Sequence, residues 1–317
     1  MVSHTEIEKA RDRISAHLIP TPLVACEWLS QRLGRKVLCK LENLQRTGSF
    51  KFRGAFNELL QLEAAKTDRQ VVTASAGNHG LGVAEACRIL GRQATVFVPV
   101  NASPLKVGKL QHLGATVIQQ GADYDDAHAA AERFASETRL PFIHAFAQEG
   151  VIAGQGTVGL ELVRDLPDPP GAVLVPVGGG GLIGGMAVAI KSRWPKTAII
   201  GIQSSASPAM ARALTAGSPV ETPIEPTIAD GLAGRWVATE TLHLVQHFVD
   251  EMVLVSEDSI RQAMREFYCR QGWRLEASAV VGCAAVLEGQ IRIPGPLVLV
   301  ITGGNISEDD FGRHSEL

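Results

Sequence analysis

The chain contains 317 residues, of which 45% are hydrophobic and 20% are charged, and its formal net charge at pH 7 is −3. This length can bury the core of one large domain or two smaller ones, and the charge gives no electrostatic basis for binding nucleic acid or an anionic membrane. No apolar run approaches the roughly 20 residues of a membrane span, the N-terminal segment lacks the apolar core of a signal peptide, and the five widely spaced cysteines predict reduced thiols in a cytoplasmic protein.

Short apolar runs alternate with amphipathic segments along almost the whole chain. Runs rich in Val and Ile predict seven strands, at residues 36–42, 70–76, 93–100, 115–121, 171–177, 197–203 and 296–302. Amphipathic segments predict helices that begin near residue 49 and cover residues 77–90, 103–114, 123–139, 151–166 and 182–194. Strands that alternate with helices are typical of parallel sheets covered on both faces. Because these units are too many for one open sheet, we expect an α/β protein of two domains with a cleft between them.

Lys51 lies at the start of the first of these helices, in the stretch RTGSFKFRGA. Thr47 and Ser49 are plausible N-caps for that helix. A helix N-terminus carries partial positive charge, so an ammonium group in the first turn is slightly unfavourable. Such a lysine either points into solvent, as most lysines do, or keeps its nitrogen partly neutral so that it can attack a carbonyl group. The helix by itself leaves both interpretations open.

Four glycine-rich loops follow or approach predicted strands: ASAGNHG, VGGGGLIGG, TIADGLAG and ITGGN. Ligands of parallel sheets bind at the C-terminal ends of the strands, so these loops are candidate binding elements. In VPVGGGGLIGG, the glycines Gly178–Gly181 separate a strand from a helix. Their backbone N–H groups, together with the helix N-terminus, predict a phosphate site.

Two kinds of phosphate-bearing cofactor compete for this site. Gly179, Gly181 and Gly184 match GxGxxG, the pattern of a dinucleotide site. That pattern requires an acidic residue about 20 positions further on, but the next predicted strand ends at Gln203. Pyridoxal 5′-phosphate requires a lysine, a phosphate cradle and a partner for its ring nitrogen, and Lys51 and the glycine loop supply the first two. A nicotinamide-dependent oxidoreductase remains the alternative from another enzyme class.

Six sequence blocks extend this interpretation. They are ENLQRTGSFKFRGA, TASAGNHG, VIAGQGT, VPVGGGGL, TIADG and ITGGN, within about residues 20 to 306. In type and order they resemble the signature blocks of the threonine/serine dehydratase and serine racemase family, which belongs to the fold-type II (tryptophan-synthase-β-like) pyridoxal-phosphate enzymes. The resemblance implies a large cofactor-binding domain of residues 1–68 and 148–317, a small α/β domain of residues 69–147, and a cofactor in the cleft between them. It also implies a homodimer.

The resemblance further implies which residues bind the cofactor. Lys51 would bind it covalently and then act as general base and acid at the substrate Cα. Phe50 would pack beside the ring, Asn78 would hydrogen-bond the 3′-oxygen, and Thr302 would contact the pyridine nitrogen. The phosphate would be bound by backbone N–H groups of Gly178, Gly179, Gly180, Gly181 and Leu182.

The implied reaction is β-elimination of L-threonine, L-serine or a related β-hydroxy amino acid, which yields a 2-oxo acid and ammonia. The substrate carboxylate would rest on the SAGNH loop, at Ser75, Asn78 and His79, with Arg133 as a supporting group. Glu276 matches a family glutamate near the cofactor. A hydroxyl at residue 302 makes the ring a more moderate electron sink than a carboxylate would, which favours elimination over transamination.

Departures from the family pattern narrow the choice of activity. Racemases carry a serine before the Gly-Asn of the asparagine loop, and Ala76 takes that position here. The segment GIQSSASPAMA contains no carboxylate, so no metal site is expected there. Because the chain ends about a dozen residues after ITGGN, we expect no isoleucine-responsive domain. Dehydratases of 3-hydroxyaspartate or of a hydroxyectoine-pathway intermediate, a serine racemase and a non-catalytic ligand-binding regulator remain alternatives, although retention of Lys51 argues against the last.

Overall fold

Two β-sheets organise the chain. The computed structural model describes residues 1–65 and 69–317, and the strands within these ranges are β1 Leu23–Ala25, β2 Val37–Leu41, β3 Gln70–Ala74, β4 Gln93–Val98, β5 Thr116–Gln119, β6 Ala172–Pro176, β7 Ala198–Ser204, β8 Glu251–Val255 and β9 Leu297–Ile301. The larger sheet has the order β1-β2-β9-β6-β7-β8 and the smaller has the order β3-β4-β5. Every strand pair is parallel except β1 with β2.

All seven predicted strands are present in these sheets. The unpredicted strands β1 and β8 lie at the two edges of the larger sheet. An edge strand has a neighbour on one side only and needs no continuous apolar run. β1 is three residues long, and β8 has exposed residues at positions 251 and 254. The central strands β2, β6 and β9 are buried at every position, which explains why their apolar runs are the clearest in the sequence.

The helices cover both faces of the two sheets. They are α1 His4–Ile14, α2 Glu27–Leu33, α3 Lys51–Ala64, α4 Asn78–Leu90, α5 Pro104–His112, α6 Tyr124–Thr138, α7 Glu149–Asp165, α8 Gly181–Arg193, α9 Ala209–Ala216, α10 Thr239–Phe248, α11 Glu257–Gln271, α12 Val281–Leu287 and α13 Glu308–Ser315. The six predicted helices correspond to α3–α8. Among the described residues, no helix combines the length and the apolar character that crossing a bilayer requires.

Separate apolar clusters fill the spaces between sheets and helices. On one face of the larger sheet, α2, α11 and α12 pack against the strands, and α7, α8 and α10 pack on the other face. The smaller sheet contacts α4 on one face and α6 on the other. Helix α3 follows β2 of the larger sheet but packs against α4 of the smaller unit and against α7. This arrangement places the start of α3 between the two sheets.

The start of α3 corrects one prediction. The N-cap residue is Phe50, and neither the Thr47 nor the Ser49 hydroxyl accepts a capping hydrogen bond from the helix N–H groups. Thr47 lies in a left-handed conformation, with φ of 62°, within a short 3-10 turn. Ser49 instead forms a β-bridge with Gly303, just after β9. Tertiary pairing with the end of a neighbouring strand, not side-chain capping, therefore sets where α3 begins.

Candidate active site

The amine of Lys51 points into the protein, not into solvent. Its Nζ donates a hydrogen bond to the carbonyl oxygen of Ala145 at 2.9 Å and lies 5.2 Å from the centre of the Phe50 ring. The residue keeps some exposed surface, but its ammonium group is desolvated, and this burial lowers its pKa to about 8, an effect that the Glu276 carboxylate partly opposes. At pH 7 about one tenth of this amine is neutral. Of the two interpretations of Lys51, the structure supports the one in which the nitrogen can attack a carbonyl group.

The side-chain amide of Asn78 is held at both ends. Its Nδ2 donates to Glu276 Oε1 at 2.8 Å, and its Oδ1 accepts from Asn305 Nδ2 at 2.8 Å. Asn305 Nδ2 also donates to the carbonyl oxygen of Thr47 at 2.6 Å. Asn78 begins α4, Asn305 follows β9, and Glu276 precedes α12, so three distant segments meet here. The network fixes which face of the amide is presented to a ligand beside Lys51.

Glu276 is a buried acid within this network. Burial and, to a smaller extent, the nearby Asp230 raise the pKa of its carboxyl group to about 7, although hydrogen bonds from Asn78 and from the Asn305 backbone partly oppose this rise. A Cβ atom at Gly303 would lie 2.3 Å from Glu276 Oε1 and 3.1 Å from Asn78 Nδ2. Glycine at position 303 is therefore what allows the segment after β9 to approach these two side chains.

The glycine loop after β6 leaves no room for side chains. A Cβ atom at Gly179 would lie 2.4 Å from the Phe146 ring, one at Gly180 would lie 2.5 Å from Met210 Cε, and one at Gly181 would lie 2.8 Å from the Phe146 carbonyl oxygen. Gly180 has a φ of 90° and is the N-cap of α8. The loop therefore presents backbone, not side chains, beside a helix N-terminus.

The free donors of this loop fit a phosphate group. Outside helices and strands, Gly178, Gly179 and Gly180 donate none of the backbone hydrogen bonds found among residues 1–65 and 69–317. The first N–H groups of α8, including that of Leu182, have no acceptor within the helix. Converging N–H groups at a helix N-terminus are a ready-made anion site. The residues present therefore fit the phosphate of the cofactor that the sequence predicts.

Phe146 and Thr302 connect the lysine to the rest of the site. Phe146 packs on the glycine loop and directly follows Ala145, whose carbonyl oxygen accepts the hydrogen bond of Lys51. The same short segment therefore contacts both the amine and the phosphate cradle. The side chain of Thr302 is buried, and its carbonyl oxygen accepts from the N–H of Phe50 at 3.2 Å. The predicted residues Phe50, Lys51 and Thr302 are thus brought together.

The predicted carboxylate-binding residues have separate environments. Ser75 Oγ accepts from the N–H of Gly77 at 3.1 Å, and Gly77 is the N-cap of α4 without a side-chain cap. His79 is buried, with Nε2 donating to the Ile143 carbonyl oxygen at 3.0 Å. Burial and the neighbouring Lys51 lower the pKa of His79 to about 3, so its ring is neutral at pH 7. The first N–H groups of α4 have no acceptor within the helix, and such groups are suited to bind an anion.

Arg133 is not brought to this site. Its side chain is exposed on α6, and no hydrogen bond or ion pair found within the described ranges joins it to Lys51, Asn78 or the glycine loop. Conversely, Ala145, Phe146 and Asn305 are site residues that were not predicted. Asn305 ends the ITGGN loop, which was a signal for it. The position of residues 145 and 146 depends on how the segment before α7 folds back, and no local pattern indicates that.

In the part of the chain that the structure describes, no three His, Cys, Asp or Glu side chains are grouped so that they could hold a metal ion. In the segment expected to lack carboxylate ligands, the Oε1 atom of Gln203 accepts from the N–H of Ala211 at 3.0 Å. This side chain is used to hold the start of α9.

A parallel α/β fold with a desolvated lysine and a glycine cradle defines a class of enzyme that binds a phosphorylated aldehyde cofactor. Residues 14–303 match the family model described as pyridoxal-phosphate dependent enzyme, and the chain belongs to this family. Its cofactor is therefore pyridoxal phosphate, which decides against the dinucleotide alternative.

Individual relatives narrow this assignment. The chain is 42% identical over 314 residues to a Thermotoga maritima protein named L-threonine ammonia-lyase, with 99% of this chain and 78% of that protein covered. Among solved structures, it resembles the processed form of threonine deaminase isoform 2 from Solanum lycopersicum, with a TM-score of 0.91, 36% identity, and coverage of 98% and 93%. It also resembles maize serine racemase, with a TM-score of 0.93, 30% identity, and coverage of 98% and 96%. The predicted fold class and family resemblance are confirmed.

Proposed function

We propose that this protein catalyses the pyridoxal-phosphate-dependent β-elimination of L-threonine or L-serine to a 2-oxo acid and ammonia. The observation that carries the proposal is the desolvated amine of Lys51, which lies beside a glycine phosphate cradle and an oriented asparagine amide. When bound, pyridoxal phosphate supplies an electron sink that acidifies the Cα proton of an attached amino acid. Relatives named L-threonine ammonia-lyase support the same reaction class.

Each site residue has a proposed task. Lys51 holds the cofactor through Nζ and moves the proton at the substrate Cα, for which a pKa near the working pH is well suited. Asn78 holds the 3′-oxygen of the cofactor, and Phe50 packs beside the ring. Thr302 offers a hydroxyl to the ring nitrogen. The N–H groups of residues 178–182 bind the phosphate.

The substrate carboxylate is proposed to bind at the N-terminus of α4, where Ser75, Asn78 and His79 lie. Because the ring of His79 is neutral at pH 7, the attraction for the carboxylate comes from backbone N–H groups and the helix dipole. Lys51 also faces this region, and its ammonium group would attract an anion there.

The charges around the site favour a substrate with an uncharged side chain over 3-hydroxyaspartate. Burial lowers the pKa of His144 to about 4, so this ring is neutral at pH 7, like His79. Lys106 is paired with Asp230 at 3.0 Å, and Arg235 is paired with Asp123 and Asp125. A second substrate carboxylate would therefore lack a counter-charge near Lys51 among these described groups, and Glu276 would repel it when ionised.

Four further features belong to the same proposal. Ala76 cannot move a proton, so racemisation is disfavoured. We propose the division into a large domain of residues 1–68 and 148–317 and a small domain of residues 69–147, whose boundary at residue 68 lies outside the described residues. A homodimer is proposed from the family resemblance. A cytoplasmic location is proposed from five free cysteines, four of them buried.

A spectrum and a substrate panel test the proposal. The purified protein incubated with pyridoxal phosphate should become yellow, and L-threonine and L-serine should release 2-oxo acid and ammonia. Lys51→Ala should abolish both properties because the only proposed covalent attachment is lost, whereas Lys9→Ala, which alters an exposed lysine of α1, should retain them. A colourless wild-type protein, or full turnover by Lys51→Ala, would contradict the assignment of Lys51.

A further inference from the structure

A cluster of buried charges lies beneath the first turn of α3. We call the side chains of Arg53, Lys40, Glu42 and Glu161 the Arg53 cluster. The side chains of Arg53, Lys40 and Glu42 are fully buried, and that of Glu161 is 12% exposed. Burial of an ionised group is costly unless its partners are complete. A cluster of this size so close to Lys51 therefore needs a reason in the fold or in the function.

The guanidinium of Arg53 uses nearly all of its donors. Nε donates to Glu42 Oε2 at 2.7 Å and Nη2 donates to Glu42 Oε1 at 2.8 Å, which is a bidentate pair. Nη1 donates to Glu161 Oε1 at 2.7 Å and to Thr157 Oγ1 at 3.2 Å. Burial alone would lower the pKa of Arg53, but the two carboxylates outweigh it and raise the pKa above its ordinary value.

Lys40 completes the cluster from β2. Its Nζ donates to Glu161 Oε2 at 2.6 Å and to the carbonyl oxygen of Thr21 at 2.7 Å. Glu42 follows β2 and Glu161 lies in α7, so the cluster joins α3 to the larger sheet and to α7. The fork of Arg53 fixes direction as well as distance, which a lysine at the same position would not do.

Together with the buried side chain of Phe52 and the β-bridge of Ser49 with Gly303, the Arg53 cluster holds the first turn of α3. No side chain caps it, and its N-cap residue is Phe50. Close backbone approaches limit its translation: a Cβ atom at Gly154 would lie 2.6 Å from the Arg53 carbonyl oxygen, and one at Gly82 would lie 3.2 Å from the Lys51 carbonyl carbon. Residues 51 and 53 are about 200° apart around the helix. Anchoring Arg53 in the core therefore turns Lys51 toward Ala145 on the other side.

We propose that Arg53 is a positioning residue for Lys51: its bidentate attachment to Glu42 and its bond to Glu161 set the rotation of the first turn of α3, and so the direction in which the Lys51 amine points. The inference rests on the proposed role of Lys51 in binding the cofactor. A small change in the direction of a reacting group can reduce a rate by as much as about 100-fold. Arg53 acts through Lys51 and does not itself contact the reacting atoms.

The test compares Arg53, which lies in α3, with Arg92, which lies outside α3 and forms an ion pair with it. Arg53→Lys keeps the charge and removes the fork. Arg92→Lys makes the same change in a buried arginine that pairs with Glu63 near the opposite end of α3, at 2.9 Å. For both apoenzymes we would measure the rate of pyridoxal phosphate attachment across pH by absorbance, the melting temperature, and the kcat and KM of the fully loaded enzyme.

We expect Arg53→Lys to attach the cofactor roughly 10- to 100-fold more slowly, to shift the pH midpoint of attachment, and to lower kcat more than KM. Arg92→Lys should attach the cofactor at the wild-type rate even if its melting temperature falls. If Arg53→Lys lowers only the melting temperature, or if both variants slow attachment equally, the proposal is overturned. Should Arg53→Lys fail to fold, Glu161→Gln provides the same comparison through a milder change in the same cluster.

These outcomes are distinct from a failure of the proposed function. If wild-type protein attaches the cofactor and Lys51→Ala does not, the role of Lys51 stands whatever Arg53→Lys does. If Lys51→Ala attaches the cofactor normally, the proposed function fails, and the positioning role of Arg53 fails with it.

Discussion

Replacing Gly179 by alanine tests the phosphate cradle directly. The added Cβ would lie 2.4 Å from Phe146 Cδ1 and Cγ and 2.5 Å from Cδ2, which is closer than real Cβ contacts permit. The loop and the Phe146 ring therefore cannot both remain in place. Phe146 also contacts the ring of His144, with centroids 4.6 Å apart. Either the loop or the segment that holds Lys51 through Ala145 must move.

Overpacking of this kind costs about 1–3 kcal/mol. If this free-energy cost falls on the conformation that binds the cofactor, it corresponds to a roughly 5- to 150-fold increase in the Kd of pyridoxal phosphate. The assay is a titration of apoenzyme with pyridoxal phosphate, followed by the absorbance of the bound cofactor. The matched control is Gly108→Ala in α5, where an added Cβ would meet nothing within 4 Å.

Gly108→Ala should leave the Kd unchanged and stabilise the helix slightly, because alanine has the higher helix propensity. The double variant Gly179→Ala/Phe146→Ala should recover part of the affinity, since it removes the atoms that clash. If Gly179→Ala binds pyridoxal phosphate as tightly as wild type, the loop is not the cradle that the close packing indicates. If the double variant is no better than Gly179→Ala, Phe146 is not the cause of the loss.

Two other expectations follow from the charges and side chains of the site. Cofactor attachment requires the neutral amine of Lys51, so its rate should rise with pH through a midpoint near pH 8. Because the Glu276 carboxylate raises the pKa of Lys51, Glu276→Gln should move this midpoint to lower pH, and an unchanged or higher midpoint in attachment kinetics would refute the coupling. L-Serine should yield pyruvate without appreciable D-serine, because Ala76 has no group that could protonate the second face of Cα; chiral chromatography that detects D-serine as a main product would contradict this reasoning.

Much of the fold can be predicted from local patterns in the sequence. The central strands are buried on both faces, so their Val- and Ile-rich runs stand out in the sequence, and consecutive glycines between β6 and α8 indicate a phosphate loop without any knowledge of packing. The edge strands β1 and β8 escape such a prediction because their burial is partial. The start of α3 was wrongly assigned to a capping residue because the β-bridge between Ser49 and Gly303 is a tertiary contact.

The site shows the same division more sharply. That a lysine begins a helix, that glycines follow a strand and that Asn78 follows another are properties of the sequence by itself. Together with the resemblance of six blocks to a known family, they predicted the cofactor and the reaction class. The environment of these residues is tertiary: Asn78 meets Glu276 across 198 residues and Asn305 across 227, and Lys51 meets Ala145 across 94. A pKa depends on desolvation and neighbouring charges, and an amide's orientation depends on its partners. For this reason only the tertiary structure decided that the Lys51 amine is desolvated, that Arg133 lies on an exposed face of α6, and that a buried arginine two residues beyond Lys51 anchors the helix.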